Sequence, residues 1–545
     1  MRRTERGNGL VWWLLLGGVA VSLIVFTVLL GPGRAVRIAA ASFLSTTVDG
    51  LAEDPGPHQL RILELRIDPS YLDSLERDLP WSGGENMPAT LVENGVEYPV
   101  EFRYRGIYSA SHYLGGKKSF RLKLPKKNPF APYRKLNVID PKSFNMANNH
   151  LGNWIAARMG VPTPWNELVY VRINGKDQGV MELYEQPDGK FERIRGLAEH
   201  DVPVYKGDFP PIEGRELPAK RMLWRNATFW EYESKADSTV SNARLRALVD
   251  VVDDPSLTIT QRRDTLAQLI EVDAYARYFA AMLVVNTKHM DQYHNQWLVM
   301  SDRTGRFYPI FWDALLMFPP EGEPLYFIND ALAHWFLRIP EWRRLRDRYA
   351  YEAMRDLHAS GVFMREFDRT IAEIRPSVLR DRNKYGHVSL VPSDVHRFSV
   401  AHVISSFAGM RTTVNGYWDR LSDRLAANAV TVERTGGLHI TCTSEAPLEL
   451  RWRATSTEAP IVTSGMDTLS VGRVGEKWTV ILYHDVSIAP GTWDRPFANW
   501  QHYEVAPIDR TVVFPNGTPP DLIVTNAITD EAIGVSRASW ASGLG

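Results

Sequence analysis

The chain has 545 residues, with 63 Lys and Arg against 64 Asp and Glu and a formal net charge of -1. This balance excludes a nucleic-acid-binding function that rests on bulk positive charge. The single cysteine, Cys442, excludes an intramolecular disulfide and a zinc site built from cysteines. With 44% hydrophobic residues and 17 Trp, the composition is typical of well-packed globular material, and the length allows two or three domains.

The N-terminal residues predict a membrane anchor. Residues 10–30 contain no charged side chain, and at about 1.5 Å per residue a helix of this length spans one bilayer core. The alternative is a cleaved signal peptide, but the apolar run is long for one and the Gly31-Pro32-Gly33 that follows is a poor cleavage site. Flanking arginines favour a cytoplasmic tail at residues 1–9. We therefore expect a single-pass membrane protein with a linker at 31–58 and its bulk outside the cytoplasm.

Residues 59–240 predict a β-rich lobe. Asn94-Gly95 is a strong hairpin turn signal, and a small, polar loop then leads into the strand KKSFRLKL. Strand alternation places Lys118 on the apolar face with Phe120 and Leu122. A lysine on that face needs an anion, and nucleotide phosphates are one candidate. The alternative is a solvated strand end.

A helix and a second hairpin follow in the same lobe. Apolar spacing predicts the helix over Met146–Met159. The hairpin turns at Asn174-Gly175 and delivers Glu185 at the end of its second strand. Glu185 either pairs with Lys118, faces a metal, or is an exposed carboxylate at a strand end.

The stretch NTKHMDQYHNQWLVMSDRTGRFYPIFWD carries the strongest chemical signal. It follows an apolar helix predicted over Tyr275–Val285, with Asp273 as its N-cap. Asp291 and Asn295 lie in a polar loop, and a predicted hairpin then ends at Asp313. A hairpin brings its two ends together, so Asn295 and Asp313 can share one metal ion while Asp291 faces an acceptor hydroxyl. Phosphoryl transfer from a nucleotide needs this set of groups, although D-x-x-x-N alone is more often a capped turn.

The remainder is helical and then β-rich. Residues 241–430 predict a helical lobe, in which Glu341–Leu357 has charges at helical spacing and reads as a solvated helix, and Val395–Ala427 reads as one long helix. Short apolar strands separated by Gly, Pro and Ser then predict a β-sandwich over 431–545. This last domain carries no catalytic constellation, so we expect it to bind or tether an envelope protein or a polysaccharide.

Five segments together resemble the spore coat protein H (CotH) kinase family. They are FRYRG, KKSFRLKL, RMGVPTPWNELVYVRINGKDQGVMELYEQPD, HMDQYHNQWLV and FYPIFWD, in that family's order within residues 59–430. The resemblance implies an α+β fold with a two-lobed, atypical protein-kinase-like domain. It also implies ATP with Mg²⁺ or Mn²⁺ as cofactors and Ser or Thr hydroxyls of proteins as acceptors.

The resemblance also implies roles for individual residues. Asp291 would be the catalytic carboxylate, and Asn295 and Asp313 would bind metal. Lys118 would meet the nucleotide phosphates, with Arg105 and Glu185 as further cofactor-binding positions.

One departure from the family pattern bears on activity. In that family the last motif is often W-D-x-D, whereas here Trp312-Asp313 is followed by Ala314 and Leu315. Fewer negative ligands weaken metal binding, so a non-catalytic, nucleotide-binding pseudokinase or an envelope or coat scaffold is the alternative function. Metal-assisted hydrolysis fits less well, because one metal-binding carboxylate and no histidine cluster are evident.

Overall fold

The computed structural model describes residues 56–79, 85–106, 113–114, 117–126, 130, 132–141, 146–209, 221–287, 289–314, 325–328, 330–381, 383–387, 395–397, 400–434, 437–453, 457–463, 469–487, 501–502 and 504–533. The predicted transmembrane segment at 10–30 lies outside these residues, as does nearly all of the predicted linker. Within the described ranges, no helix combines the length and the apolar character needed to cross a bilayer.

The first lobe is a closed barrel. Seven strands form it in the order β1-β2-β3-β6-β7-β9-β8, and β1 pairs with β8 in parallel to close the ring. The elements of this lobe are β1 (Arg61–Ile67), α1 (Pro69–Arg77), β2 (Met87–Glu93), β3 (Val96–Tyr104), β4 (Tyr113–Leu114), β5 (Lys117–Lys118), β6 (Phe120–Lys123), β7 (Lys135–Ile139), α2 (Asn148–Arg158), β8 (Asn166–Ile173) and β9 (Lys176–Glu185).

Strand alternation explains why this lobe closes. One side chain in two along the strands points inward and joins a separate apolar core that includes Leu65, Phe102, Leu122 and Leu183. Both predicted hairpins are confirmed, because β2 pairs with β3 and β8 with β9 in antiparallel register. Asn94, Gly95, Asn174 and Gly175 all have positive φ, as a tight two-residue turn requires. The predicted helix over Met146–Met159 is present as α2, one or two residues shorter at each end.

The second lobe combines a small sheet with helices. Its first elements are α3 (Phe191–Ile194), β10 (Val204–Gly207), two short 3₁₀ turns (Leu223–Arg225 and Ala227–Phe229) and β11 (Trp230–Tyr232). They are followed by α4 (Thr239–Asp253), α5 (Ile259–Leu269), α6 (Val272–Val285), β12 (Gln296–Met300), β13 (Phe307–Pro309), β14 (Phe327–Ile328), α7 (Ala331–Arg338), α8 (Pro340–Ala353), a π-helical turn (Met354–Ala359), α9 (Val362–Arg380), β15 (Tyr385–His387), β16 (Val395–Arg397) and α10 (Val400–Ala426). The sheet order is β11-β10-β12-β13, so the hairpin of the polar stretch forms its edge.

Three sequence predictions for this lobe were wrong in detail. Glu271, not Asp273, occupies the N-cap position of α6, and no side chain caps that helix. Residues 395–397 form a strand, and α10 begins only at Val400. Helix α8 is not simply solvated, because Arg343, Arg346 and Asp347 are buried. Arg346 pairs with Asp347 at 2.7 Å, and Arg343 Nη2 donates to the carbonyl of His484 in the C-terminal region at 2.8 Å.

The C-terminal region consists mainly of two four-stranded antiparallel sheets that share one apolar core. Their orders are β17-β18-β26-β20 and β21-β22-β19-β27. The strands of this region are β17 (Val430–Arg434), β18 (Leu438–Cys442), β19 (Leu448–Arg453), β20 (Ile461–Thr463), β21 (Leu469–Val474), β22 (Lys477–Leu482), β23 (Val486–Ser487), β24 (Gln501–His502), β25 (Glu504–Val505), β26 (Ile508–Val513) and β27 (Ile523–Asn526). The predicted mixed α+β class is therefore confirmed.

A buried ion pair joins the barrel to the helical lobe. Lys117 Nζ lies 2.7 Å from Asp381 Oδ2, and the two side chains are 2% and 0% exposed. The same carboxylate accepts a hydrogen bond from the backbone N–H of Val180 at 3.0 Å. Because a buried charge is tolerated only with such partners, this contact fixes the start of β9 against the end of α9.

Candidate functional site

The polar stretch between α6 and β12 places three predicted residues close together. Helix α6 ends at Asn286, whose φ of 52° lies in the left-handed region. Asn295 and Asp313 also have left-handed backbones, with φ of 61° and 53°. Among residues other than glycine, Asn and Asp adopt this conformation most readily, and it is found in tight turns and at functional sites. The hairpin β12–β13 holds these two residues at neighbouring positions, as the sequence predicted.

The Asp313 carboxylate is the centre of this arrangement. Asn295 Nδ2 lies 3.5 Å from Asp313 Oδ2 and donates to the His289 carbonyl at 3.1 Å. His289 Nδ1 is 3.1 Å from the same carboxylate oxygen. Asn149, on α2, donates to Asp313 Oδ1 at 3.2 Å. We call the side chains of His289, Asp291, His294, Asn295 and Asp313 the loop cluster.

Asp291 is held by its own loop. Its Oδ1 accepts hydrogen bonds from the backbone N–H groups of Tyr293 and His294 at 2.8 and 3.1 Å. His294 Nδ1 lies 2.7 Å from the same oxygen. Burial lowers the pKa of His294, but its bond to Asp291 and the nearby carboxylates of Asp208 and Asp313 outweigh that effect and raise the pKa overall.

A further carboxylate supports the loop from behind. Gln296 Nε2 donates to the Asp291 carbonyl at 3.1 Å and to Asp330 Oδ2 at 2.8 Å. Asp330 also caps α7, because its Oδ1 accepts from the N–H of Ala333 at 2.7 Å. Burial raises the pKa of Asp330 to about 6. The position of Asp291 is thereby tied to the start of a helix.

The barrel contributes a buried carboxylate, Glu182, from the outer face of β9. Burial and the neighbouring Asp313 carboxylate raise its pKa to about 8, although hydrogen bonds from Tyr184, Asn149 and the backbone of His150 act in the opposite direction. Tyr184 accepts a hydrogen bond from Asn153 of α2 at 2.8 Å. Glu182 was not among the residues predicted from the sequence.

Lys118 lies elsewhere. Its Nζ pairs with Glu76 Oε1 of α1 at 2.9 Å and sits 5.8 Å from the centre of the Tyr104 ring, a member of the barrel core. Among the described residues it forms no hydrogen bond or ion pair with the loop cluster. Phe120 lies in the barrel core, and Lys118, whose side chain is 20% exposed, contacts Tyr104 of the same core, which fits the predicted shared face. Its predicted role in phosphate binding gains no support from these contacts.

Glu185 is likewise held away from the loop cluster. It pairs with Arg195, with Nη2 2.6 Å from Oε2, and accepts from the backbone N–H of Trp165 at 3.0 Å. The side chain is buried, so the exposed strand end considered from the sequence is wrong, as is pairing with Lys118. Arg195 also donates from Nη1 to Oε1 at 3.1 Å, and such a two-pronged arginine–carboxylate contact is typical of a structural ion pair.

Arginine side chains lie close together on the outer face of the barrel. Arg121 donates to Asn137 and to Gln186, both at 2.9 Å. Burial and the nearby guanidinium groups of Arg105 and Arg103 lower the pKa of Arg121 to about 9. Arg121 of β6 pairs across the sheet with Asn137 of β7, and Asn137 pairs with Tyr184 of β9, which is two residues from Glu182. Arg105 therefore belongs to a group of cations on the face that carries Glu182.

The oxygen atoms near Asp313 suit a hard divalent cation. Asn149 Oδ1 and Glu182 Oε2 are buried without a hydrogen-bond partner in the described part of the chain. Mg²⁺ and Mn²⁺ prefer carboxylate and amide oxygens, which these side chains and Asn295 supply. Among the described residues, no cluster of three or more His, Cys, Asp or Glu side chains is arranged to hold a metal. A cation here therefore needs the amide oxygens and oxygen atoms of a ligand as well.

Several of these residues were missed for identifiable reasons. Glu182 lies between Met181 and Leu183 in a largely apolar part of its strand. An acidic residue at such a position is the feature of the sequence that could have identified it as a candidate site residue. His289 and His294 flank Asp291 in the sequence HMDQYHN, and their rings lie 5.2 Å apart. Asn149 had no local signal, because α2 meets Asp313 only through the tertiary fold.

Comparison with known proteins shows which family the chain resembles. The family model described as CotH kinase protein matches residues 102–414, more than half of the chain. The chain is 24% identical over 259 residues to inner spore coat protein H of Bacillus subtilis (strain 168), covering 47% of this chain and 68% of that protein. A chain in the structure of the Shewanella oneidensis MR-1 toxin–antitoxin complex of HipA, HipB and operator DNA is 12% identical. That match covers 66% of this chain and 74% of the other, and its TM-score of 0.26 carries no conclusion. The family model covers the barrel strands from β6 to β9, the loop cluster and the first part of α10, and with more than half of the chain matched the protein belongs to the CotH kinase family.

Proposed function

We propose that this protein is a membrane-anchored kinase that transfers the γ-phosphoryl group of ATP to Ser or Thr hydroxyls of a protein outside the cytoplasm. The observation that carries the proposal is the meeting of Asn295 and Asp313, with Nδ2 3.5 Å from Oδ2, next to Asp291 on the same loop. An amide, a metal-binding carboxylate and a second carboxylate for the acceptor are what phosphoryl transfer requires.

Each side chain has a separate task in this proposal. Asp313 and Asn295 would hold Mg²⁺ or Mn²⁺, with the Asn295 amide turned so that its oxygen and not Nδ2 faces Asp313, and the ion would supply positive charge against the phosphates. Asp291 accepts the proton of the acceptor hydroxyl as that oxygen attacks. Hydrogen bonds from the backbone of Tyr293 and His294 orient Asp291, and Gln296 fixes the loop behind it.

The positively charged side chains that contact the phosphates in this proposal are arginines on the outer face of the barrel. Arg121 and Arg105 lie near one another, and their mutual repulsion contributes to the lowered pKa of Arg121. A bound polyanion relieves such repulsion, whereas Lys118 is already paired with Glu76. We therefore assign phosphate binding to Arg121 with Arg105 and not to Lys118.

The proposed location rests on the apolar segment at 10–30 and on the relative in Bacillus subtilis, which is named an inner spore coat protein. Both are consistent with a protein whose bulk lies in the cell envelope or coat. The two C-terminal sheets then hold an envelope protein or a polysaccharide close to the kinase.

The test is phosphate incorporation by the full chain in detergent. The protein is incubated with labelled ATP, Mg²⁺ or Mn²⁺ and an envelope extract, and labelled proteins are hydrolysed to identify phosphoserine and phosphothreonine. Asp291→Ala is expected to reduce incorporation by about 10²- to 10⁴-fold. Asp253→Ala, which changes an exposed carboxylate paired with Arg225, is the matched control and should retain activity. Equal incorporation by Asp291→Ala and the unaltered protein would remove the assignment.

A pseudokinase or scaffold is the second candidate function. Asp291 Oδ1 already accepts three hydrogen bonds from its own loop, including His294 at 2.7 Å, so less of the carboxylate is free for an acceptor. A pseudokinase predicts ATP-dependent thermal stabilisation without transfer. A scaffold without a nucleotide site predicts no stabilisation at millimolar ATP with either Mg²⁺ or Mn²⁺.

A further inference from the structure

Glu182 is a buried acid that has no cationic partner among the residues that the structure describes. It lies in the middle of β9, where its side chain points away from the barrel core. The residue is 2% exposed, and it forms no ion pair among the described residues. Its Oε2 is buried without a hydrogen-bond partner there. A carboxylate in this setting is costly to ionise unless a positive charge compensates it.

One amide connects Glu182 to the loop cluster. The Asn149 side chain hydrogen-bonds Glu182 and also donates to Asp313 Oδ1 at 3.2 Å. Asn149 is 3% exposed, and its own Oδ1 is buried without a partner in the described part of the chain. Two carboxylates and an amide oxygen therefore border the same buried region. A hard divalent cation is the group that such oxygen atoms take together.

We propose that Glu182 supplies the second carboxylate ligand of the divalent cation, in place of the one missing after Asp313. The inference rests on the proposed function, because that function brings the cation to Asp313. It differs from the sequence-based site, in which both cation ligands, Asn295 and Asp313, come from the hairpin. In this arrangement the barrel and the helical lobe each provide a carboxylate, so the cation joins the two lobes.

The competing role for Glu182 is structural. A protonated Glu182 that only holds β9 to α2 by hydrogen bonds would be replaced without loss by glutamine, which has the same shape. A metal ligand would not, because a neutral amide is a much weaker ligand for Mg²⁺ or Mn²⁺ than a carboxylate. The variant Glu182→Gln therefore separates the two roles.

The experiment is a Mn²⁺ titration of the full chain in detergent, with and without a non-hydrolysable ATP analogue. Bound Mn²⁺ is measured from the loss of the free-ion electron paramagnetic resonance signal, so the readout does not depend on activity. Glu182→Gln is expected to raise the Mn²⁺ Kd by at least about tenfold, the lower end of losses at ligand-supporting positions. Glu192→Gln is the matched control, since Glu192 is also a buried acid, 3% exposed, and accepts from Tyr308 at 3.0 Å. It should bind Mn²⁺ like the unaltered protein.

The outcomes separate this inference from the proposed function. Unchanged Mn²⁺ affinity in Glu182→Gln, with clear binding by the unaltered protein, would overturn the role of Glu182 and leave the kinase proposal standing. No Mn²⁺ binding by the unaltered protein, with or without the analogue, would overturn both. If Glu182→Gln does not fold, the Mn²⁺ titration is repeated with Glu182→Asp. This variant keeps the carboxylate, but its side chain is shorter by one methylene, so the carboxylate lies farther from the cation. Weakened Mn²⁺ binding by Glu182→Asp supports the inference, and unchanged binding contradicts it.

Discussion

The raised pKa of Glu182 predicts a specific pH dependence of stability. In the unfolded chain this carboxyl has its ordinary pKa of 4.5, whereas in the folded protein burial and Asp313 raise it to about 8. Between these two values the folded state keeps a proton that the unfolded state has released. The free energy of unfolding therefore falls as the pH rises from 4.5 to 8, and the contribution is fully present only below pH 4.5.

The size of the effect follows from the shift. At about 1.4 kcal/mol per pKa unit, the difference between the two values corresponds to roughly 3–5 kcal/mol. Glu182→Gln removes the titration but keeps the shape of the side chain. Relative to this variant, the unaltered protein should lose that amount of stability between pH 4.5 and pH 8, because Tyr184, Asn149 and the backbone of His150 only partly stabilise the ionised form.

The assay is denaturant unfolding at several pH values with a chelator present, so that no divalent cation offsets the charge. The difference between the unaltered protein and Glu182→Gln is the relevant quantity, since the other titrating groups are shared and cancel. Two unfolding free energies that run parallel from pH 4.5 to pH 8 would show that Glu182 has an ordinary pKa. The assignment of a desolvated acid beside Asp313 would then be refuted.

Three other predictions concern the lobe junction and the phosphate site. Lys117→Met leaves the Asp381 carboxylate buried without its cation and should lower the free energy of unfolding by roughly 3–5 kcal/mol, measured with denaturant. Adding Asp381→Asn to this variant should recover part of the lost stability. A loss below about 1 kcal/mol contradicts the buried ion pair. Gly179→Ala should destabilise the protein by roughly 1–3 kcal/mol in the same assay, because φ is +99° and the new Cβ would lie 2.2 Å from the Asp381 carboxylate; unchanged stability argues against this packing. Arg121→Met should abolish most of the thermal stabilisation by ATP and Mn²⁺ while Lys118→Met retains it, and the reverse result would restore the role first assigned to Lys118.

The local chemistry of the site was largely predictable from the sequence. The order helix, polar loop, hairpin and carboxylate was enough to bring Asn295 and Asp313 together, because a hairpin fixes the relation between its ends. The two Asn-Gly turns were equally secure, since they require positive φ. These features depend on residues that are near one another in the chain.

Features that depend on long-range pairing were not predictable in the same way. The shared face of Lys118 and Phe120 was assigned correctly, but the pairing of Lys118 with Glu76 of α1 depends on how that helix packs against the barrel. Glu182 comes near Asp313 only through the tertiary fold, in which Asn149 of α2 lies beside both. Arg343 was expected to be solvated, but it is buried where the C-terminal region packs on α8, and its donation to the His484 carbonyl satisfies the buried guanidinium.

Binding and transfer measured on the same samples test the central claim most directly. Full-length protein, Asp291→Asn and Asp313→Asn are each titrated with labelled ATP and Mn²⁺ to measure binding, and are then followed through one turnover with an acceptor extract. The account predicts that Asp291→Asn binds ATP with an unchanged Kd but transfers phosphate about 10²- to 10⁴-fold more slowly, whereas Asp313→Asn loses both cation-dependent binding and transfer. Transfer at the unaltered rate by either variant would contradict it.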